Sequence, residues 1–193
     1  MATEIELKAH VQDSEVLRAL LDKKAKYRGV FEKEDSYWYP GNPSPAGPPG
    51  LPRSGLRIRR ENFSFPDGST KSSTFATFKI KEVRDGIEIN NEQEFEVNPA
   101  QVFEEFLKRM GLKQGIAKKK KGWAYSYEGI CAELTEVEGL GWFVELEILA
   151  DNSLEETVTE GRVRLLDFLA CLGIEREAIE SRFYTEMLRE AGI

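Results

Sequence analysis

Charged and apolar residues alternate without interruption in the stretch Glu4-Ile5-Glu6-Leu7-Lys8, close to the amino terminus of the chain. Successive side chains of a β-strand point to opposite faces, so this pattern predicts a strand with one charged face and one apolar face. The stretch Val144-Glu145-Leu146-Glu147-Ile148 repeats the pattern far along the chain. A fold built from such strands has to bury the apolar faces and accommodate the charged ones.

The same alternation recurs between these two stretches, and each strand candidate carries charges of mainly one sign. By this alternation, Arg57 and Arg59 oppose Leu56 and Ile58, Lys79 and Lys81 oppose Phe78 and Ile80, Glu92, Glu94 and Glu96 oppose Phe95 and Val97, and Lys118 and Lys120 oppose Trp123 and Tyr125.

Two interpretations of the charged faces are open. In the first, they form the solvated outer side of an ordinary antiparallel sheet, as most charged faces do. In the second, they converge inside a closed barrel, and amphipathic helices cover the apolar outside. Because buried charges cost several kcal/mol each unless they are paired or hydrated, a charged lumen of this kind should be wet and should bind a charged ligand. Lys and Arg suit phosphate oxygens, and Glu pairs suit Mg²⁺ or Mn²⁺.

The order of elements, about eight strands with a few covering helices, suggests an α+β barrel-like domain. Strands are expected over residues 3–11, 30–39, 55–61, 74–83, 87–97, 118–127, 130–137 and 142–149. Helices are expected after a cap at Asp13 or Ser14, from Asn98-Pro99 to Gly111, over about 153–171 and through 183–188. Residues 40–53, rich in Pro and Gly, are expected to form a flexible loop within a single domain over residues 1–193.

Composition narrows the classes of function. The chain has 193 residues, and 27 Lys and Arg against 34 Asp and Glu give a net charge of -7, which disfavours nucleic acid as a partner. No apolar run approaches the ~18–20 residues of a membrane span, and the amino terminus has no apolar signal core. Two cysteines and one histidine offer no zinc spacing and no histidine triad, and they predict a reduced, cytoplasmic location.

Seven segments, in order along the chain, resemble motifs of the CYTH, or triphosphate tunnel metalloenzyme, superfamily. They are residues 4–8 (EIELK, similar to E-x-E-x-K), 35–38 (DSYW, similar to D-x-Y-F), 56–59 (LRIR), 78–79 (FK, the strand with the tunnel lysine), 118–123 (KKKKGW, similar to K-x-R-x-x-Y), 137–147 (VEGLGWFVELE, similar to V-E-G-L-G-x-F-x-E-x-E) and 182–188 (RFYTEML, similar to R-S-Y-x-x-L-L). The last two motifs have the form that is typical of the class IV adenylyl cyclase branch, so they favour that branch.

The resemblance implies a closed antiparallel eight-stranded barrel with covering helices, whose tunnel holds a triphosphate with Mg²⁺ or Mn²⁺. Metal ligands carried over by the resemblance are Glu4, Glu6, Glu133, Glu145 and Glu147. Residues implied to bind the triphosphate are Lys8, Arg57, Arg59, Lys79, Lys118, Lys120 and Arg182, and those implied in catalysis are Lys8, Arg57, Arg59, Lys79, Glu92 and Glu94. Two departures are Thr135, where the family often has Asp, and Lys120, where Arg is common.

The resemblance leaves three functions open. The first is an adenylyl cyclase that converts ATP to cyclic AMP and pyrophosphate. The second is a triphosphatase for inorganic triphosphate, thiamine triphosphate or a nucleoside triphosphate. The third is a binder of polyphosphate or nucleotide without turnover. A homodimer is also compatible with the resemblance.

Overall fold

The computed structural model describes residues 3–40, 56–84, 87–150 and 154–193, with the side chains of residues 79–84, 91 and 92 excepted. Apart from Pro40, the segment predicted as a loop over residues 40–53 lies outside the described residues. The strands are β1 Thr3–His10, β2 Lys26–Pro40, β3 Leu56–Ser64, β4 Thr70–Arg84, β5 Ile87–Glu96, β6 Leu112–Tyr127, β7 Ile130–Val137 and β8 Gly141–Ala150. The α-helices are α1 Ser14–Lys24, α2 Ala100–Arg109, α3 Glu155–Cys171 and α4 Tyr184–Glu190.

The strands are antiparallel and pair in the order β1-β5-β4-β3-β2-β6-β7-β8. The ring closes at β1, which pairs with β8 along its whole length and with β5 through Thr3–Glu6. The prediction of an α+β fold, with a curled antiparallel sheet and covering helices, is therefore confirmed.

The apolar faces of the strands lie on the outside of the barrel, under the helices. Ile5 and Leu7 of β1 are fully buried in one core with residues of α1 and α3. The contact with α3 is close, because a Cβ atom on Gly161 would lie 2.5 Å from the Cδ1 atom of Ile5. On β6, the ring of Trp123 stacks under Arg18 of α1, on the face opposite Lys118 and Lys120. The helices therefore cover the apolar faces, and the charged faces of β1 and β6 point to the other side of the curled sheet, among the described side chains.

Two smaller cores complete the packing. Helix α2 covers the outer face of β2, β3 and β4 through Leu107, which packs with Trp38 and Ile58. Helix α4 instead packs against lumen-facing residues, since Tyr184 and Met187 form a cluster with Val137 and Phe143. The lumen is therefore bounded by α4 at the end where Phe143 lies.

The helix ends agree with the sequence, with one exception. Asp13 caps α1, and its carboxylate accepts hydrogen bonds from the backbone amides of Glu15 and Val16. Helix α2 begins at Ala100 and not at Asn98-Pro99, because Pro99 occupies the cap position. Among the described helices, none combines the length and the apolar composition needed to cross a membrane.

Candidate active site in the barrel lumen

The lumen contains a cavity of about 170 Å³ whose wall is almost entirely ionisable. Side chains from seven strands and from α4 line it, and neither aliphatic residues nor Phe or Trp occur among them. The lining residues are Glu4, Glu6, Lys33, Tyr37, Arg57, Arg59, Glu88, Glu94, Lys118, Lys120, Glu133, Glu145, Glu147 and Tyr184. Seven glutamates thus face five lysines and arginines, as expected of strands that each carry charges of mainly one sign.

A larger groove of about 960 Å³ shares Lys33 and Lys120 with this cavity. Its further charged side chains include exposed cross-strand pairs, such as Lys121 with Glu136 at 3.2 Å. Exposed pairs of this kind are ordinary on a solvated sheet face and contribute little to stability. We therefore place the candidate site in the smaller cavity, where the charges are buried.

The first buried group of charges is centred on Asp35 of β2, which is fully buried. Arg59 donates to both carboxylate oxygens of Asp35, at 2.7 and 3.0 Å, and the Nζ atom of Lys118 lies 3.1 Å away. Burial alone would raise the pKa of the Asp35 carboxyl, but Arg59 and Lys118 hold it well below its usual value. Burial lowers the pKa of Lys118 to about 8, although Asp35 opposes the shift. One wall of the cavity therefore presents two cations fixed by one carboxylate.

The second group is centred on Lys120 of β6. Its Nζ atom donates to Glu145 at 2.8 and 3.0 Å and to Glu133 at 3.2 Å, and Lys33 donates to Glu133 at 2.5 Å. The hydroxyl of Tyr184 donates to Glu145 at 3.1 Å. Burial would raise the pKa of Glu145, but Lys120 and then Lys118 shift it far below its usual value. Glu145 is therefore ionised, and it is already engaged by a lysine and a tyrosine.

The third group is a row of carboxylates across three adjacent strands. Glu6 of β1 lies opposite Glu147 of β8 on one side and Glu88 of β5 on the other, and all three line the cavity. Glu88 also accepts a hydrogen bond from Lys8 at 2.5 Å. Oxygen-only donors of this kind suit a hard divalent cation such as Mg²⁺.

The described side chains do not gather three His, Cys, Asp or Glu residues into a ready-made metal site. This agrees with Mg²⁺ chemistry, because Mg²⁺ is usually bound through one or two carboxylates together with phosphate oxygens of the substrate. Glu6 and Glu147 fit that description, since they are cross-strand neighbours that both face the cavity. The residues present therefore fit a divalent cation that is shared with a phosphorylated ligand.

Most residues predicted for the site come together in the lumen. Those that line the cavity are Glu4, Glu6, Arg57, Arg59, Glu94, Lys118, Lys120, Glu133, Glu145 and Glu147. Lys8 lies next to them and is bonded to Glu88. Lys79 and Glu92 are backbone partners in β4 and β5, and their side chains lie outside the described residues.

Arg182 is the predicted residue that the structure does not bring into the cavity. Its side chain is 51% exposed, and its guanidinium donates to Glu180 at 2.6 Å and to Glu190 at 2.8 Å. Glu180 itself is 3.1 Å from the Nε2 atom of His10. Arg182 therefore anchors the segment before α4 in this structure, because two nearby carboxylates hold it outside the lumen.

Several residues of the site were missing from the sequence prediction. Lys33 and Asp35 follow Phe31 at alternate positions of β2, so the period-2 pattern could have identified them. Glu88 lies two residues before Asn90 on the same face of β5, and the same pattern applies to it. The place of Tyr184 depends on how α4 docks, and no local periodicity indicates that.

A family model described as CYTH domain matches residues 2–184. The chain belongs to the CYTH domain family. A Methanocaldococcus jannaschii protein that bears the name "Putative adenylate cyclase MJ0240" is 28% identical over 133 residues, which are 68% of this chain and 69% of that protein.

Solved structures of similar fold match nearly the whole chain. The PH1819 protein from Pyrococcus horikoshii OT3 is 25% identical with a TM-score of 0.78, and the match covers 97% of this chain and 98% of that one. The Hippeastrum protein HpAC1, described as a "putative adenylyl cyclase" with a dominant triphosphatase activity, has a TM-score of 0.64. It is 17% identical over 98% of this chain and 96% of its own, so the likeness concerns the CYTH fold alone.

Proposed function

We propose that this CYTH protein is a metal-dependent enzyme that acts on a triphosphate bound in the barrel lumen, and that its reaction is the conversion of ATP to cyclic AMP and pyrophosphate. The observation that carries the proposal is the cavity wall, where Lys33, Arg57, Arg59, Lys118 and Lys120 face the carboxylate row of Glu6 and Glu147. A polyanion and its counter-cation are the ligands that satisfy both sets of charges. The name of the Methanocaldococcus relative supports the choice of reaction.

The cations would bind the phosphate oxygens. The ammonium group of Lys120 forms ion pairs with Glu133 and Glu145, and Arg59 and Lys118 both form ion pairs with Asp35. Donors that carboxylates already hold in place need little reorganisation when a phosphate binds. Preorganised donors of this kind stabilise the charge that develops in a reaction. Arg57, which donates to Thr77 at 3.0 Å, adds a guanidinium that matches phosphate geometry.

Glu6 and Glu147 would hold the divalent cation, with Glu4, Glu133 and Glu145 as the other carboxylates predicted for this role. A bound Mg²⁺ or Mn²⁺ supplies neutralisation of phosphate charge and orientation of the phosphate chain. The remaining catalytic work is positioning by the protein's own side chains, as is general for phosphoryl transfer.

In the proposed cyclase reaction, the 3′ oxygen of the ribose attacks the α-phosphorus of ATP. A bond forms between these two atoms, the bond from the α-phosphorus to the bridging oxygen of pyrophosphate breaks, and the 3′ hydroxyl loses its proton. The lysines and arginines of the lumen hold the charge of the leaving pyrophosphate. Neither the attack nor the departure requires a nucleophilic side chain.

A triphosphatase is the second candidate, and the character of the cavity favours it. Tyr37 and Tyr184 are the aromatic residues among the described lining side chains, and no aliphatic residue accompanies them. The described wall therefore offers little apolar surface for a purine, whereas inorganic triphosphate needs none. In this reaction water attacks the terminal phosphorus instead, and the same cations hold the remaining phosphates. A binder without turnover is the third candidate.

The products formed from ATP distinguish the candidates. Incubation with Mg²⁺ or Mn²⁺ is expected to give cyclic AMP and pyrophosphate in equal amounts, measured by chromatography of the nucleotides and an assay for pyrophosphate. ADP with orthophosphate, or rapid hydrolysis of inorganic or thiamine triphosphate, would favour the triphosphatase. Tight binding of triphosphate with no product after prolonged incubation would contradict both enzymatic proposals.

The pKa of Lys118 predicts how triphosphate binding depends on pH. Free protein loses this cation as the pH rises through about 8, and bound triphosphate favours the protonated form. The dissociation constant of inorganic triphosphate is therefore expected to rise above pH 8, by up to about tenfold per pH unit. Lys118→Met should bind more weakly at pH 7 and lose this rise, as measured by calorimetric titration from pH 7 to 9.5.

Lys119→Met is the matched control, because Lys119 is the next residue and its side chain is 60% exposed beside Glu34. This variant should keep the wild-type dependence on pH. An equally steep rise in the Lys118→Met variant would show that another group titrates.

The other expectations from the sequence stay predictions. They are a single domain over residues 1–193, a cytoplasmic location, the absence of nucleic-acid partners and a homodimer.

A further inference from the structure

Asn90 of β5 is a fully buried residue whose carboxamide has no hydrogen-bond partner among the described residues. Both its Oδ1 and its Nδ2 atoms are affected. Buried polar side-chain atoms are paired in the large majority of cases, with protein or with ordered water, so an orphaned amide needs an explanation. The charged residues next to the amide indicate which kind of ligand could pair with it.

Asn90 lies between an acidic and a basic strand neighbour, because β4 places Lys81 as its backbone partner on one side and β1 places a glutamate on the other. It lies opposite Glu4 in the pairing of β5 with β1, and Glu88 lies two residues before it on the same face of β5. Both glutamates line the cavity. Glu88 also begins the row that continues through Glu6 to Glu147, so Asn90 is adjacent to the carboxylates proposed to hold the divalent cation.

A carboxamide suits this position better than the side chains of aspartate or leucine, which are similar in size. Its oxygen accepts hydrogen bonds and its nitrogen donates two, so it can join a carboxylate to a water molecule. Mg²⁺ gives up its water reluctantly and usually keeps several of its hydration waters in protein sites. An aspartate at position 90 would add another negative charge to a wall that already has seven glutamates. A leucine would provide no hydrogen bond at all.

We propose that Asn90 is a positioning residue for the divalent cation: with the cation bound, its unpartnered carboxamide would form hydrogen bonds with a hydration water of the cation, beside Glu4 and Glu88. The inference rests on the proposed metal dependence and adds to it a residue outside the charged set. Outer partners of this kind orient the groups that hold a metal and typically change metal affinity or activity 10–100-fold.

Asn90→Leu tests the proposal, because leucine has a similar shape and no hydrogen-bonding group. Mn²⁺ affinity is measured by electron paramagnetic resonance of free Mn²⁺, in the presence of a non-hydrolysable triphosphate analogue. The variant is expected to bind Mn²⁺ about 10–100-fold more weakly. Its melting temperature without metal is expected to rise, since replacing an unpaired buried polar group by an apolar one of similar shape is neutral or stabilising.

Two further variants make the test specific. Asn90→Gln keeps both the acceptor oxygen and the donor nitrogen and should recover part of the lost affinity. Ser73→Ala is the matched control, because Ser73 of β4 also has a buried, unpartnered Oγ atom, but neither Ser73 nor its strand partner Glu61 lines the cavity. This variant should keep wild-type Mn²⁺ affinity.

Unchanged Mn²⁺ affinity in Asn90→Leu, with the wild type binding Mn²⁺, would overturn the inference and leave the proposed function intact. An equal loss in Ser73→Ala would also overturn it, because the effect would not be specific to the neighbour of Glu4. Failure of the wild type to bind Mn²⁺ would overturn the inference and the proposed metal dependence together.

Discussion

Glu147→Gln is expected to lower turnover of the triphosphate substrate by about 10²–10³-fold, the loss that follows removal of one preorganised charge-stabilising group. Glu147 faces the cavity opposite Glu6, and this pair is the part of the carboxylate row proposed to hold the divalent cation. Glutamine keeps the size of the side chain and removes its charge. The measurement is the initial rate of product release from ATP at saturating Mg²⁺ or Mn²⁺.

Glu136→Gln is the matched control for this variant. Glu136 lies on the neighbouring strand β7, but its side chain is exposed and pairs with Lys121 on the outer face. Its replacement is expected to leave turnover and metal dependence unchanged. If Glu147→Gln kept full activity with an unchanged requirement for metal, the assignment of Glu147 to the metal would be wrong.

Asp35→Asn is expected to destabilise the protein by about 3–5 kcal/mol, because removal of one partner from a buried ion pair leaves the other charge without compensation. Here a single carboxylate compensates two cations, Arg59 and Lys118, that are themselves largely buried. The free energy of unfolding is measured by denaturation in urea. A loss of this size is a large part of the ~5–15 kcal/mol that stabilises a typical domain.

The dependence on pH gives a second test of Asp35. Since the folded protein holds the pKa of Asp35 well below its value in the unfolded chain, the contribution of Asp35 is present above the unfolded value. It is lost as the pH falls through the depressed folded value. The stability difference between wild type and Asp35→Asn should therefore be full at neutral pH and shrink only in strong acid.

Glu34→Gln provides the control, because Glu34 precedes Asp35 directly and lies on the other face of β2, half-exposed and 3.5 Å from Lys119. Its replacement is expected to change the free energy of unfolding by less than about 0.5 kcal/mol. Equal losses of stability in the two variants would show that the burial of Asp35 does not determine its contribution to the free energy of unfolding.

The sequence predicts residues of the site only where the alternation of side chains along a strand identifies its charged face. Alternation along β1, β3, β6 and β8 assigns Glu6, Arg59, Lys120 and Glu147 to one face, and the structure places them in one cavity. The same rule applied to β2 would have found Lys33. It does not apply to Arg182, which lies outside any strand and pairs with Glu180 and Glu190 instead.

The sequence by itself determined that the strands have charged and apolar faces, because the alternation of side chains is a property of each strand alone. It also determined the family, through motifs that are contiguous in the chain. Tertiary structure alone decided that the charged faces point inward, because only the docking of α1 and α3 on residues such as Ile5 shows which face is covered. It likewise decided that Lys120 lies between Glu133 and Glu145, since the registers of three strands set which charges meet.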